Sequence, residues 1–152
     1  MFVPIKRVNK DYELPKYQTN GSVGFDFITR EKVTILAGEI ALIPANNVIQ
    51  VPAGYMLMVA LRSSAPRKWG IMMPQGVGII DQDYCGPEDE IKIQVLNFNF
   101  KSTSVTIPAG TRLAQGVFYK VGVVDHWKEC DDEDLENLSR FHKSRGGFGS
   151  TG

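Results

Sequence analysis

Short apolar runs separated by turn residues constrain the fold of this chain more than any other feature. The runs are rich in β-branched and aromatic residues, and glycine, proline or asparagine lies between them. Short strands interrupted this regularly are typical of β-sandwiches and barrels. We therefore predict an all-β fold. Its predicted strands cover residues 23–29, 32–35, 39–43, 55–61, 77–80, 91–100, 105–107 and 112–124.

One of these runs also shows which of its faces is buried. Ile91, Ile93 and Val95 alternate with Lys92 and Gln94. Successive side chains of a strand point to opposite faces, so this pattern predicts one buried and one solvated face.

A single helix is predicted, over residues 131–138 (DDEDLENL). Its acids lie where a helix N-terminus favours negative charge, and Leu135 and Leu138 share a face. The alternative is a solvated acidic turn. From residue 139 the chain becomes polar and then glycine-rich. The predicted organisation is a β domain over residues 1–138 and a flexible C-terminal lid of the same domain over residues 139–152.

Composition excludes several classes of function. The 152 residues suffice for one domain with its own core. Basic and acidic residues both number 17, which argues against nucleic-acid binding. Cys85 and Cys130 fit no metal-binding spacing, and we expect both to be free thiols. The N-terminal sequence MFVPIKRVNK does not resemble a signal peptide, and no apolar run is long enough to span a membrane. We therefore expect a cytoplasmic protein.

The C-terminal residues 145–152 (RGGFGSTG) cannot contribute to a hydrophobic core. They carry a cation (Arg145), an aromatic ring (Phe148), two hydroxyls (Ser150 and Thr151) and unshielded backbone amides. This set suits a phosphorylated ligand with an aromatic base. The alternative is a disordered chain end.

The segment 76–86 (GVGIIDQDYCG) places two acids and an aromatic residue directly after a predicted strand. Asp81 and Asp83 could simply cap backbone amides of a turn. The functional interpretation is a carboxylate at a strand end, directed into a pocket, with the Tyr84 ring close by.

Residues 61–69 (LRSSAPRKW) follow an apolar strand with a cluster of cations and hydroxyls. Arg62, Ser63 and Ser64 offer donors that suit phosphate oxygens. The alternative is a solvated basic loop.

Two further segments place polar residues inside apolar strands. Arg112 and Gln115 interrupt AGTRLAQ, and such an arginine could instead pair with a buried acid. Asp26 lies within SVGFDF, where an acid needs a partner, a water network or a metal.

Taken in order, SVGFDF, RSSAPR, GVGIIDQDYCG, GTRLAQ and GGFGSTG resemble the five motifs of the trimeric dUTP pyrophosphatases (dUTPases). The resemblance implies a jelly-roll-like distorted β-barrel. It also implies a homotrimer with three sites at subunit interfaces. The expected reaction is Mg²⁺-dependent cleavage of dUTP to dUMP and pyrophosphate, which removes dUTP from the nucleotide pool and supplies dUMP for thymidylate synthesis.

The resemblance also implies roles for individual residues. Asp81 would be the general base for a water that attacks the α-phosphorus, and Asp26 would reach Mg²⁺ through water. Arg112 and Asp83 would maintain the architecture of the site. Phosphate contacts would come from Arg62, Ser63, Ser64, Gln115, Arg145, Ser150 and Thr151.

Selection of the base and sugar would come from the third motif and the C-terminal tail. The backbone of Gly78, Ile79 and Ile80 would bind the uracil edge and exclude a 5-methyl group. Tyr84 would pack against the deoxyribose and exclude a 2′-hydroxyl, while Phe148 would stack on the base. Gln75 lies where relatives carry a polar residue near the base.

The chain departs from the family pattern in two places. The usual tail pattern aligns Lys143 with the phosphate-gripping arginine, although Arg145 has the bidentate fork that favours this role. Residues 87–89 resemble a short insertion after the third motif.

Two other functions are known for this fold. A dCTP deaminase, or a bifunctional deaminase and dUTPase, shares this fold, but Gln94 lies where its catalytic glutamate is expected. A zinc-dependent deaminase would need H-x-E and P-C-x-x-C motifs. A regulatory binding protein with the same fold is the second alternative.

Overall fold

The computed structural model describes residues 1–138, apart from the side chains of Glu136 and Leu138. These residues form strands with two short helices, which confirms the all-β prediction. The helices are α1 (Ala65–Trp69) and α2 (Asp132–Leu138). The strands are β1 (Ile5–Arg7), β2 (Phe25–Ile28), β3 (Val33–Leu36), β4 (Ile40–Pro44), β5 (Asn47–Ile49), β6 (Tyr55–Leu61), β7 (Ile71–Met72), β8 (Gly78–Ile80), β9 (Lys92–Asn97), β10 (Ser104–Ile107) and β11 (Arg112–Lys120).

All pairings between the described strands are antiparallel. The largest sheet has four strands in the order β2-β11-β6-β8, and a second sheet has the order β4-β9-β7. Two smaller ladders pair β1 with β5 and β10 with β3. In the four-stranded sheet, β11 therefore lies between β2 and β6, two strands that are distant from it in sequence.

The alternation predicted for residues 91–95 is confirmed. Ile91, Ile93 and Val95 are buried, whereas Lys92 is exposed and Gln94 is half-buried. Together with buried residues of the other strands, these side chains form one continuous apolar core.

Helix α1 was missed by the sequence interpretation, which predicted a single helix at residues 131–138. Pro66 lies in the first turn, where proline is tolerated because its missing N–H has no helical partner. Gly70 ends the helix with φ of 64° and donates its N–H to the Pro66 carbonyl. Strands β1, β5 and β7, of two or three residues each, were also missed.

The described residues beyond Val121 belong to a second compact unit. Its helix α2 begins where predicted, because Asp131 accepts the Asp134 N–H through its side chain at 2.9 Å. Three acids occupy the first turn, where their negative charge interacts favourably with the positive end of the helix dipole. Neither helix in the described part of the chain is long and apolar enough to cross a membrane.

Gly116 is a point in β11 where the core leaves no room for a side chain. An added Cβ would lie 2.7 Å from the Phe25 ring and 2.8 Å from the Phe27 ring. These rings pack edge to face with centroids 5.3 Å apart, and Phe27 is fully buried, so they cannot both move aside.

We expect Gly116→Ala to lower the free energy of unfolding by about 1–3 kcal/mol, as overpacking of a core does. Urea unfolding at one fixed protein concentration measures this change. Gly21→Ala is the matched control, because no atom lies within 4 Å of its added Cβ. Equal unfolding midpoints for the two variants would contradict the close packing around Gly116.

Candidate active site

One group of predicted site residues meets on the four-stranded sheet, and we call it the Asp26 cluster (Asp26, Arg62, Arg112 and Gln115). Asp26 lies between core-facing neighbours on β2, so its side chain points to the opposite face. Gln115 on β11 lies opposite Asp26 on one side and Ala60 of β6 on the other. Strand pairing therefore brings together residues that are far apart in sequence.

The Asp26 carboxylate is the centre of this cluster. Its Oδ2 lies 3.3 Å from Nη1 of Arg62 and 3.4 Å from Nη1 of Arg112, and the side chain is only 10% exposed. Arg112 also donates to Oε1 of Gln18 at 2.9 Å. Two guanidiniums share one carboxylate, so the cluster retains an excess positive charge that favours an anion.

Ser63 and Ser64 follow Arg62 directly and are exposed. Two backbone hydrogen bonds fix the turn: the Arg62 N–H donates to Leu113 O at 3.0 Å, and the Ala65 N–H donates to Arg62 O at 2.9 Å. Ser64 precedes α1, but its side chain makes no capping hydrogen bond. Its hydroxyl therefore remains available to a ligand.

A second group lies at the end of β8, and we call it the β8 cleft. Asp81 follows the last residue of β8 and is exposed, and the Asp81 carbonyl accepts the Tyr84 N–H at 3.4 Å. Asp83 and Gln75 are also exposed. The adjoining cavity of about 390 Å³ is lined by Leu42, Ile79, Ile80, Asp81, Tyr84 and Lys92.

Within one chain, the Asp26 cluster and the β8 cleft lie at opposite ends of β6. Ile80 pairs with Leu57, so Asp81 lies beyond the Leu57 end of the strand. Arg62 follows the other end at Leu61. Leu57 and Arg62 are five positions apart along the strand, which corresponds to about 17 Å at 3.3–3.4 Å per residue. The predicted general base, Asp81, and the phosphate-binding residues of the Asp26 cluster therefore lie apart within one chain.

A buried network behind the cleft was missed by the sequence interpretation. Oε1 of Glu90 accepts Nε of Arg30 at 2.9 Å and the backbone N–H of Asn46 at 2.8 Å. The hydrogen bond that Arg30 donates to Glu90 raises the pKa of the Arg30 guanidinium. The Coulombic attraction of Glu90 and Glu31 adds to this rise, against the effect of burial. The available signal was an acid placed immediately before the apolar run that starts at Ile91.

The predicted insertion at residues 87–89 forms a turn with defined contacts. Lys6 donates to Pro87 O at 2.6 Å, and the Gly86 N–H donates to Oδ2 of Asp89 at 2.7 Å. Glu88 is exposed. The turn connects the cleft to Glu90.

No group of three or more histidine, cysteine, aspartate or glutamate residues in the described part of the chain could hold a metal ion. Asp26 already faces two guanidiniums, which disfavours direct binding of a divalent cation. A single carboxylate does fit a cation held mainly by a polyphosphate and contacted through water. Lys143, Arg145, Phe148, Ser150 and Thr151 lie outside the described residues.

Comparisons with known proteins agree on one family. The family model described as dUTPase matches residues 10–152. The deoxyuridine 5′-triphosphate nucleotidohydrolase of Lactococcus lactis subsp. lactis (strain IL1403) is 38% identical over 151 residues, covering 99% of this chain and 95% of that protein.

Solved structures show the same similarity. The dUTPase from Streptococcus mutans has a TM-score of 0.72 at 33% identity, covering 80% of this chain and 98% of that one. The dUTPase of Staphylococcus bacteriophage 80alpha with dUPNHPP has a TM-score of 0.82 at 22% identity, covering 99% and 98%. These neighbours confirm the predicted jelly-roll-like fold.

Proposed function

This chain belongs to the dUTPase family and hydrolyses dUTP, and from that premise we propose how its residues perform the reaction. Asp81 is the general base. Its carboxylate takes a proton from a water molecule, and the oxygen of that water bonds to the α-phosphorus. The bond from the α-phosphorus to the bridging oxygen breaks, which leaves dUMP and releases pyrophosphate. The exposure of Asp81 beside the cleft supports this role, because a base must reach both water and substrate.

The Asp26 cluster and the adjacent Ser63 and Ser64 bind the phosphates. Arg62 contributes its charge, Ser63 and Ser64 their hydroxyls, and Gln115 its amide. Phosphoryl transfer depends mainly on positioning and charge neutralisation, so a pre-formed positive group is the main requirement. Arg112 maintains this arrangement through its ion pair with Asp26.

Mg²⁺ is the proposed cofactor. Asp26 would hold it through water, and the triphosphate would supply most of its ligands. When bound, the ion neutralises charge on the phosphate oxygens. Asp26 belongs to no group of three or more potential metal ligands among the described residues, which supports this water-mediated arrangement.

The β8 cleft selects the base and the sugar. The backbone of Gly78, Ile79 and Ile80 binds the uracil edge, with Gln75 close to the base and Asp83 shaping the turn. The Tyr84 ring covers the deoxyribose and clashes with a 2′-hydroxyl, because a clash built against the wrong substrate adds to specificity.

The complete site is shared between subunits of a homotrimer. The separation of the Asp26 cluster from the β8 cleft along β6 supports sharing, because Asp81 must reach the α-phosphorus while the cluster binds the phosphates of the same dUTP. An exposed apolar face beside the cleft supports contact with a second copy. Ile40 and Leu42 on β4 are each 57% exposed, and Met72 continues this face through the pairing of β7 with β9.

The C-terminal lid completes the site. Phe148 stacks on the base, while Arg145, Ser150 and Thr151 contact the phosphates. Lys143 is the alternative to Arg145. The apolar core that the described residues form lies within residues 1–121.

A substrate panel tests the reaction and its selectivity. We expect Mg²⁺-dependent pyrophosphate release from dUTP, with kcat/KM at least about 100-fold higher than for dTTP, UTP or dCTP. Chelation with EDTA should abolish turnover. Comparable turnover of UTP would contradict the proposed role of the β8 cleft, and ammonia release from dCTP would show deaminase activity. We propose that this activity removes cytoplasmic dUTP and supplies dUMP for thymidylate synthesis, without nucleic-acid or membrane partners.

A further inference from the structure

Tyr84 is held both at its backbone and at its hydroxyl. Its backbone N–H donates to Asp81 O, and its hydroxyl donates to the backbone carbonyl of Glu90 at 3.2 Å. Tyr84 is 38% exposed and lines the β8 cleft. A tyrosine on a surface turn can change rotamer freely unless its hydroxyl is anchored, so the Glu90 carbonyl determines where this ring lies.

The Glu90 carbonyl is in turn fixed by the Glu90 side chain. Glu90 is a charged residue with only 8% of its surface exposed. Its carboxylate accepts the Arg30 Nε and the Asn46 N–H, so its charge is both paired and hydrogen-bonded. The next residue is bonded to the same segment, since the Ile91 N–H donates to Asn47 O and the Ala45 N–H donates to Ile91 O, both at 2.9 Å.

The conformation of Asn46 shows that the contacts of Glu90 and Ile91 with residues 45–47 constrain the backbone. Its φ of 66° lies in the left-handed region, and the residue is fully buried. Its side chain accepts the Asn9 N–H at 2.6 Å and donates to Asn9 O at 3.0 Å. A non-glycine residue in this conformation persists only where the surroundings over-determine it. The Glu90 carboxylate is one of those determinants.

We propose that Glu90 is a positioning residue for Tyr84, and through Tyr84 for discrimination between deoxyribose and ribose. This inference rests on the proposed function of the β8 cleft. The Glu90 side chain acts at a distance from substrate: it fixes its own backbone carbonyl, the carbonyl fixes the Tyr84 hydroxyl, and the ring closes the space beside C2′ of the sugar.

The test is a double-mutant cycle in which the measured quantity is the dUTP/UTP ratio of kcat/KM. We expect Glu90→Gln and Tyr84→Phe each to reduce the dUTP/UTP ratio of kcat/KM by about threefold to tenfold, the range that loss of one neutral hydrogen bond allows. The double variant should be no less selective than Tyr84→Phe alone, because both changes remove the function of the same bond. Glu88→Gln is the matched control and should leave the ratio unchanged, because its side chain is exposed.

A second variant and a second readout keep the result interpretable. Arg30→Gln removes the other partner of the carboxylate and should shift the ratio in the same direction. NMR signals of the Tyr84 ring, assigned by their loss in Tyr84→Phe, should move in Glu90→Gln and stay in place in Glu88→Gln.

The outcomes separate this inference from the proposed function. An additive double variant, an equal loss on dUTP and UTP, or an unmoved Tyr84 signal would overturn the positioning role while dUTP hydrolysis stands. A wild-type protein that does not prefer dUTP to UTP would overturn the proposed selectivity of the cleft, whereas a moved ring signal would still support the link from Glu90 to Tyr84.

Discussion

Asp81→Asn should lower kcat for dUTP hydrolysis by about 10³-fold, within the range that general-base catalysis contributes. Asparagine has nearly the same volume as aspartate but cannot take the proton of the attacking water. The Asp81 carbonyl that accepts the Tyr84 N–H belongs to the backbone, so the turn should persist. Pyrophosphate release under single-turnover conditions measures the loss.

Binding should survive this change, which distinguishes a lost base from a lost site. Titration calorimetry with a non-hydrolysable dUTP analogue should give a dissociation constant within about threefold of wild type, since the uracil and phosphate contacts are made elsewhere. Glu88→Gln, the same carboxylate-to-amide change on the neighbouring turn, serves as control and should retain full activity. Wild-type turnover in Asp81→Asn would remove Asp81 as the base.

The parts of the fold that follow local rules were predictable from sequence. Ile91, Ile93 and Val95 alternate with polar residues, and this period of two identifies a half-buried strand without tertiary information. The acids of residues 131–134 likewise mark the start of α2. Helix α1 was not predictable in the same way, because its five residues show no apolar period and its limits depend on Pro66 and Gly70.

From sequence, each contact of the candidate site could be predicted only as one of several possible partners. Sequence indicated that Asp26 needs a partner, but its pairing with both Arg62 and Arg112 follows from strand register. Glu90 was missed because its partners Arg30 and Asn46 are distant in sequence and carry no motif. Long-range pairing, rather than residue type, determines these contacts.

Because the Asp26 cluster and the β8 cleft lie at opposite ends of β6, we expect inactive subunits to complement each other in mixed trimers. Asp81→Asn damages the β8 cleft and leaves the Asp26 cluster intact. The double variant Arg62→Ala, Ser64→Ala damages the cluster and leaves the cleft intact. Each homotrimer alone should be almost inactive.

Mixed trimers should regain activity if each site takes its cleft from one subunit and its cluster from a neighbour. When the two variants are unfolded together in equal amounts and refolded, half of the clefts and half of the clusters are intact. Random assembly then gives about one quarter of the sites two intact halves, so activity should rise to about 25% of wild type.

A mixture of two cleft variants provides the matched control. Asp81→Asn mixed with Tyr84→Ala leaves no intact cleft in any trimer, so refolding should restore no activity. If the cleft and the cluster of one subunit instead formed the site together, the first mixture would also remain at the average of its two inactive parents. Pyrophosphate release measured before and after refolding therefore decides between a shared site and a site within one chain, which the distance along β6 disfavours.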